Sequence, residues 1–164
     1  MMKLSAFLTA TAFAALAIAA RAENPANDQA NANTKQEEKI EQLLIAAQKI
    51  CPVSGMPLDS MGGAIKAESG ERTIFLCCKG CFGTPMKPEA WKQVEKNLSA
   101  AQGICPVMKK PLPEDPASVV VEGRTVFVCC KPCIEKVEAD PAKALAVVNA
   151  QLKKHVEAEK PEAK

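Results

Sequence analysis

The sequence has little of the side-chain chemistry on which most enzymes depend. Among 164 residues there is no Tyr, one Trp, one His and five Phe. A single histidine excludes the metallohydrolase constellations, and no CxxCH haem attachment or glycine-rich phosphate loop is present. His155 falls far along the chain from any cysteine, so we expect it to be exposed to solvent rather than a ligand. Catalysis is therefore not expected.

The amino terminus, which carries the small positive excess of the chain, has the pattern of an export signal. Residues 1–3 are Met-Met-Lys, an apolar run follows to residue 20, and residues 20–22 read Ala-Arg-Ala, the pattern of a signal peptide with its cleavage site. We expect cleavage after Ala22 and export to a periplasm or the cell exterior. An uncleaved anchor is the alternative, but the run is short for a membrane span.

The mature chain is expected to be neutral. Residues 1–22 contain Lys3 and Arg21 and no acidic residue, so their removal leaves 19 basic and 19 acidic side chains. Binding to nucleic acid or to an anionic membrane surface normally requires a basic excess. We therefore expect neither as a partner.

Cysteine, in contrast, is abundant, and all eight cysteines lie in an internal repeat. LIAAQKICPVSGMPL at 44–58 returns as LSAAQGICPVMKKPL at 98–112, and GERTIFLCCKGC at 70–81 returns as EGRTVFVCCKPC at 122–133. The copies carry four cysteines each: Cys51, Cys77, Cys78 and Cys81, then Cys105, Cys129, Cys130 and Cys133. Such self-similarity indicates two equivalent structural units with two equivalent sulfur sites.

The pattern around these cysteines predicts an α+β protein. A capping box at Thr34 and Glu37, followed by apolar residues at helical spacing, predicts a helix over about 35–49 behind a flexible linker at 23–34. Each repeat should contain a β-hairpin, with strands at 63–67 and 72–76 and at 118–121 and 124–128. Further helices are expected over about 91–101 and after the cap formed by Asp140 and Pro141.

Two tandem domains follow from this order, 35–102 with the leading helix and 103–164 with a carboxyl-terminal helix and a short polar tail. Each repeat has roughly fifty residues and one two-stranded ribbon, which is marginal in water by itself. Domains of this size usually need a metal, disulfides or a partner repeat to supplement the core. Crosslinking through sulfur is therefore expected for stability alone.

The cysteine spacing favours a three-thiolate site in each repeat. Successive side chains on a strand point to opposite faces, so Cys77 and Cys78 should not converge, whereas Cys77 and Cys81 can. The turn that begins CPV, called the knuckle below, would supply Cys51 as the third thiolate. The corresponding set in the second repeat is Cys105, Cys129 and Cys133. Three thiolates form a plausible cradle for a metal ion.

These motifs resemble the TRASH and YHS heavy-metal-binding domains. CPVSGMPL at 51–58 is similar to the Asp-Pro-Val-Cys-Gly-Met start of that family, and FLCCKGC is similar to its Phe-Cys-Ser-x-x-Cys segment. The resemblance covers about 50–88 and 104–141. It implies a treble-clef-like fold, a role in trafficking, resistance or sensing of metals, and ligation by the two cysteine triads. The chain departs from the pattern at Ser54 and Met108, where a second knuckle Cys can occur, and at Cys78 and Cys130, where Ser is usual.

Thiolate ligands favour copper(I) or zinc, and we expect about one ion per repeat. Three thiolates suffice for copper(I), whereas zinc would require a fourth ligand, for which Cys78 and Cys130 are candidates; the alternative for both is a small buried core residue. Four methionines accompany the repeats, either as thioethers near the metal or as gap-filling core residues: Met56, Met61, Met86 and Met108. A protein that delivers or accepts the metal is the expected partner.

Two other interpretations of the cysteines remain open. An even number of cysteines in an exported protein is typical of disulfide staples, such as Cys51 with Cys77 or Cys78 with Cys81. The CxxC motifs that begin at Cys78 and Cys130 are also compatible with thiol–disulfide exchange, although the βαβ unit that usually carries this chemistry is missing.

Overall fold

The computed structural model describes residues 25–159. The expected signal peptide and its cleavage site after Ala22 lie outside the described residues. Over the described part of the chain, no helix combines the length and apolar character needed to cross a membrane.

Residues 25–159 form an α+β structure with four α-helices and two separate two-stranded antiparallel sheets. The elements in chain order are α1 (Pro25–Gln48), β1 (Ile65–Ser69), β2 (Arg72–Leu76), α2 (Pro88–Gln102), β3 (Ala117–Val121), β4 (Arg124–Val128), α3 (Pro132–Ala139) and α4 (Pro141–Glu159). The predicted fold class and the duplicated order of knuckle, hairpin and cysteine cluster are therefore confirmed at this level.

Both hairpins have the predicted antiparallel pairing and the same register. Ile65 pairs with Leu76 and Ser69 with Arg72 in the first hairpin, and Ala117 pairs with Val128 in the second. The turn consists of Gly70 and Glu71 and begins two positions later than predicted. Strand β1 is therefore Ile65–Ser69 rather than 63–67. Gly70 has a positive φ of 62°, which a turn residue without Cβ adopts at little cost.

Helix α1 begins earlier than the capping signal predicted. It starts at Pro25 instead of near Lys35, so residues 25–34 of the expected linker are helical. A proline in the first turn of a helix loses no hydrogen bond, since the first N–H groups have no partner within the helix. Residue 34 therefore lies within the helix and does not begin it.

The three long helices pack against one another and carry the two hairpins. Helices α1, α2 and α4 contact each other in all three pairs. One core contains Val126, Val137 and Val148, and the other contains Ile74 and Phe75. Leu44 of α1 packs against both. The repeats thus share a helical layer, which supplements the small core of each hairpin.

A backbone hydrogen bond also joins the two repeats. The N–H of Thr73 in β2 donates to the carbonyl of Gly123 in the second hairpin turn, at 2.6 Å. Gly123 has a φ of 74°, and a Cβ on it would lie 2.9 Å from Thr73 Oγ1. The close approach of the hairpins therefore requires glycine at this position.

The chain leaves the two cysteine clusters differently. After the first cluster it forms only a 3-10 turn, Lys79–Cys81, and then a loop to α2. After the second it enters α3 directly, with Pro132 in the first turn and Val137 fully buried. Gly83, with a φ of 71°, interrupts the first copy at the corresponding place. Helix α3 was not predicted from the sequence.

Candidate metal centres

Each knuckle is a tight turn closed by backbone hydrogen bonds. Cys51 N–H donates to Met56 O at 2.8 Å, and Gly55 N–H donates to Cys51 O at 2.8 Å. The second copy has the same bonds from Cys105 N–H to Lys110 O at 2.8 Å and from Lys109 N–H to Cys105 O at 2.9 Å. An isolated β-bridge closes each turn. The first cysteine of each repeat is thereby held in a rigid turn.

The end of the second hairpin strand supplies the other sulfurs. Strand β2 ends at Leu76, so Cys77 is the first residue beyond it, and the 3-10 turn brings Cys81 back toward the knuckle. Cys81 N–H donates to Cys78 O at 3.2 Å in this turn. Cys133 N–H donates to Cys130 O at 3.1 Å in the second copy, although the turn there continues into α3.

The first candidate centre consists of Cys51, Cys77 and Cys81. Their Sγ atoms all lie within 4.8 Å of one another. Cys51 Sγ is 3.8 Å from Cys81 Sγ, and Cys77 Sγ is 3.9 Å from Cys81 Sγ. All three residues are buried. The structure thus brings together the three cysteines that the spacing selected, across as many as 30 positions of sequence.

The second candidate centre consists of Cys105, Cys129 and Cys133. Their Sγ atoms also lie within 4.8 Å of one another. Cys105 and Cys133 are buried, whereas Cys129 is half-buried. The repeat therefore produces the same triad twice, from residues at corresponding positions.

The remaining two cysteines flank the triads. Cys78 Sγ is 3.7 Å from Cys81 Sγ, and Cys130 Sγ is 3.1 Å from Cys133 Sγ and 3.9 Å from Cys129 Sγ. Cys130 is exposed, so it is not the buried small core residue of the alternative interpretation, whereas Cys78 is half-buried and packs against the first core. Each lies beside its triad but outside the set of three mutually close sulfurs. No disulfide bond joins any of the eight cysteines in the structure.

Two buried glutamines, which the sequence interpretation missed, connect each knuckle to its strand. Gln48 Nε2 donates to Phe75 O at 2.6 Å and to Ile50 O at 2.9 Å, and Phe75 N–H donates to Gln48 Oε1 at 3.0 Å. The glutamine therefore holds the residue before Cys51 and the residue two before Cys77 at a fixed separation. The glutamine occupies the same position in both repeats, as the last residue of the AAQ triplet before each knuckle, and this was the signal available in the sequence.

Gln102 makes the same bonds in the second repeat. Its Nε2 donates to Phe127 O at 2.6 Å and to Ile104 O at 3.2 Å, and Phe127 N–H donates to its Oε1 at 2.9 Å. Gln102 is 3% exposed. Buried amides are costly unless all their groups are paired, so a glutamine paired in this way favours one arrangement of the knuckle and the strand.

Backbone N–H groups converge on the knuckle sulfur. Burial raises the pKa of the Cys51 thiol, but hydrogen bonds outweigh burial and lower its pKa to about 6; the donors are the N–H of Ser54, the N–H of Cys77, the hydroxyl of Ser54 and the N–H of Val53. Cys105 has corresponding N–H donors in Met108, Cys129 and Val107, which likewise outweigh burial and lower its pKa. A sulfur in this setting is stabilised as the thiolate, the form that binds metals.

The third cysteine of each triad has a raised rather than a lowered pKa. Burial, followed by the hydrogen bonds of neighbouring thiols, raises the pKa of Cys81 to about 12, and burial with the neighbouring sulfurs raises that of Cys133 to about 12. Several thiolates cannot be charged together at this distance unless a cation compensates them. In each triad the knuckle cysteine is thus favoured as the thiolate over the third cysteine until a positive ion is supplied.

Other residues singled out in the sequence lie around the triads. Phe75 is buried in the core that contains the cysteines of the first centre, and its counterpart Phe127 is also buried. Met86 packs against the first core, the gap-filling role, whereas Met56 and Met61 are exposed. His155 on α4 is half-buried rather than fully exposed as expected, and its Nε2 lies 3.3 Å from Glu159 Oε1.

The donor sets fit a soft metal ion. A tetrahedral zinc site with Zn–S bonds of about 2.3 Å has sulfur–sulfur edges of about 3.8 Å. The Sγ separations of 3.7, 3.8 and 3.9 Å around Cys81 correspond to such edges. Each of the two cysteine triads, whose sulfurs all lie within 4.8 Å of one another, can hold one metal ion. Comparison with protein-family models, with curated proteins and with solved structures found no match to this chain.

Proposed function

We propose that the protein is an exported, non-catalytic binding protein for soft heavy-metal ions, with one ion of copper(I) or zinc in each repeat. The observation that carries this proposal is the convergence of a knuckle sulfur with two sulfurs from the end of a hairpin, in both repeats. Five of these six cysteines are buried and one is half-buried, and the gathering of so many thiols into two groups needs a functional reason. A thiophilic cation supplies that reason.

Within each site the residues have distinct tasks. The knuckle cysteine is prepared as a thiolate by its backbone donors, and Cys77 and Cys81, or Cys129 and Cys133, complete the triad. Cys78 and Cys130, each within 4 Å of a sulfur of its triad, are the candidates for a fourth ligand. A bound ion supplies positive charge and a crosslink between the knuckle and the strand end.

The proposal includes the family to which the motifs are similar. A knuckle, a hairpin and a following helix occur in this order in both units, which supports a treble-clef-like module of the TRASH or YHS type. The signal-like amino terminus supports export, and the resemblance supports a role in metal trafficking, resistance or sensing. The partner in such a role is a protein that delivers or accepts the ion.

The decisive experiment is metal analysis of reduced protein purified without oxygen. We expect about two equivalents of copper(I) or zinc per chain. The double substitution Cys77→Ser with Cys81→Ser should lower this to about one equivalent, and Cys129→Ser with Cys133→Ser should do the same. Uptake that neither substitution changes would refute the proposal.

A second candidate function is thiol–disulfide chemistry at the second cluster. Its support is the 3.1 Å separation of Cys130 Sγ and Cys133 Sγ, together with the exposure of Cys130. Thiol counting on protein isolated without oxygen and without added reductant distinguishes the two. Eight titratable thiols after metal removal support the metal centres, whereas six or fewer thiols in metal-free protein isolated without oxygen would favour disulfides.

A further inference from the structure

The two centres have the same cysteines but differ at one knuckle position. The residue three after the knuckle cysteine is Ser54 in the first repeat and Met108 in the second. Ser54 Oγ lies 3.3 Å from Cys77 Sγ, its hydroxyl also reaches Cys51, and Oγ accepts a hydrogen bond from Met56 N–H at 3.2 Å. The serine therefore spans two sulfurs of the first centre from a fixed position.

Met108 cannot form these bonds, because a thioether has no proton to donate. Its side chain is 45% exposed, and Cys129, the counterpart of Cys77, is half-buried. Cys77 itself is only 2% exposed. The next cysteine shows the same trend, half-buried at Cys78 and exposed at Cys130.

The third cysteine shows a small difference in the other direction, with Cys81 7% and Cys133 2% exposed. Both of these side chains count as buried, so solvent access differs mainly at the strand end. There, the second repeat has two solvent-accessible cysteines, Cys129 and Cys130, and the first has one, the half-buried Cys78.

The charge on the outer face of the knuckles differs as well. Lys109 and Lys110 of the second knuckle are exposed and take the positions of Gly55 and Met56 in the first. An incoming metal acceptor has thiolate or carboxylate ligands, and a basic surface raises the encounter rate of such anionic groups. The more open centre is thus also the one that attracts an anionic acceptor.

From these differences we infer that the first centre retains its ion, that the second exchanges its ion with an anionic thiolate- or carboxylate-bearing acceptor, and that the residue at 54 and 108 sets the difference. The inference rests on the proposed metal-binding function and specifies how its two sites divide that task. Hydrogen bonds to ligand atoms from outside the metal shell typically change metal affinity by 10- to 100-fold.

Release kinetics test the division of roles. Reduced protein is loaded with two equivalents of zinc and mixed with an excess of pyridylazoresorcinol, an anionic chelator that changes colour on zinc binding. We expect two phases of one equivalent each, with rates that differ by about tenfold or more. Cys129→Ser should abolish the fast phase and Cys77→Ser the slow phase.

Reciprocal substitutions test the role of the knuckle residue. Met108→Ser should slow the fast phase, and Ser54→Met should accelerate the slow phase, each by about tenfold. Ser54→Ala, which removes the hydroxyl without adding bulk, should also accelerate it. Since Met108 is exposed, Met108→Ser is not expected to disturb folding, and circular dichroism of the loaded protein confirms this.

The outcomes separate this inference from the proposed function. Failure to load two equivalents of zinc or copper(I) would refute the metal-binding function itself. Two equivalents that leave in a single phase, or a slow phase that Cys129→Ser abolishes, would overturn only the division of roles. Two phases that neither Met108→Ser nor Ser54→Ala alters would remove the knuckle residue as their cause.

Discussion

The side-chain amide of Gln48 pairs with the backbone of Phe75 as a neighbouring strand would. Nε2 donates to Phe75 O at 2.6 Å, and Phe75 N–H donates to Oε1 at 3.0 Å. Since Gln48 is the last residue of α1 and Phe75 lies two positions before Cys77, this pair sets the distance between the knuckle and the strand end. Gln102 and Phe127 repeat the arrangement, so both candidate centres depend on a glutamine that contributes no ligand.

Replacement of this glutamine should be among the most damaging substitutions outside the cysteines. Gln48→Ala leaves the buried N–H and C=O of Phe75 without partners, at about 1–3 kcal/mol for each group. We expect the free energy of unfolding in urea to fall by about 2–4 kcal/mol. Gln93→Ala is the control, because Gln93 is exposed and bonds only to Asn97 on α2; equal losses for both substitutions would contradict this role.

Metal removal should lower the thermal stability of the protein. A ligand that binds only the folded state at a thousandfold excess over its Kd stabilises that state by about 4 kcal/mol. Differential scanning calorimetry should therefore show a lower Tm after addition of a strong chelator. The variant with both Cys77→Ser and Cys129→Ser should show little further change with chelator, whereas a decrease as large as that of the unsubstituted protein would indicate stabilisation from elsewhere.

A backbone difference between the two knuckles predicts a stabilising substitution. Gly55 has a φ of 79°, and its counterpart Lys109 adopts a φ of 54°, a conformation that costs a residue with a side chain about 1–2 kcal/mol. Glycine loses more chain entropy on folding, so Lys109→Gly should raise the free energy of unfolding by up to about 1 kcal/mol. Gly55→Ala should lower it by about 1 kcal/mol. Lys110→Gly, the control beside it, should give no increase.

The contact between the hairpins can be tested with two turn glycines. Gly70 and Gly123 both have positive φ, but only a Cβ at 123 would meet a neighbour, Thr73 Oγ1 at 2.9 Å. Gly123→Ala should therefore reduce the free energy of unfolding by about 1 kcal/mol more than Gly70→Ala does. The double substitution Thr73→Ala with Gly123→Ala should restore the additional free energy of unfolding that Gly123→Ala loses, because the clash with Thr73 Oγ1 is then absent. Losses of the same size for the two glycine substitutions would show that the hairpins do not pack closely.

The repeat made much of the fold predictable. The polar turns between the hairpin strands located β2 and β4 to the residue, and Asp140 with Pro141 predicted the start of α4, where Lys143 N–H donates to Asp140 Oδ1 at 3.2 Å. Local signals were less informative about where elements begin. Helix α1 extends to Pro25 beyond its capping box, and α3 follows the second cluster without a periodic pattern long enough to identify it.

The membership of the two triads was also predictable from the amino-acid sequence, because the cysteine spacing of the first repeat returns at Cys105, Cys129 and Cys133. The tertiary structure alone decided the rest. It paired Gln48 with Phe75, brought Thr73 against Gly123, and covered Cys77 with Ser54 while leaving Cys129 half-buried. These relationships join residues that are distant along the chain, and no local pattern of polarity records which distant groups the packed helices will bring together.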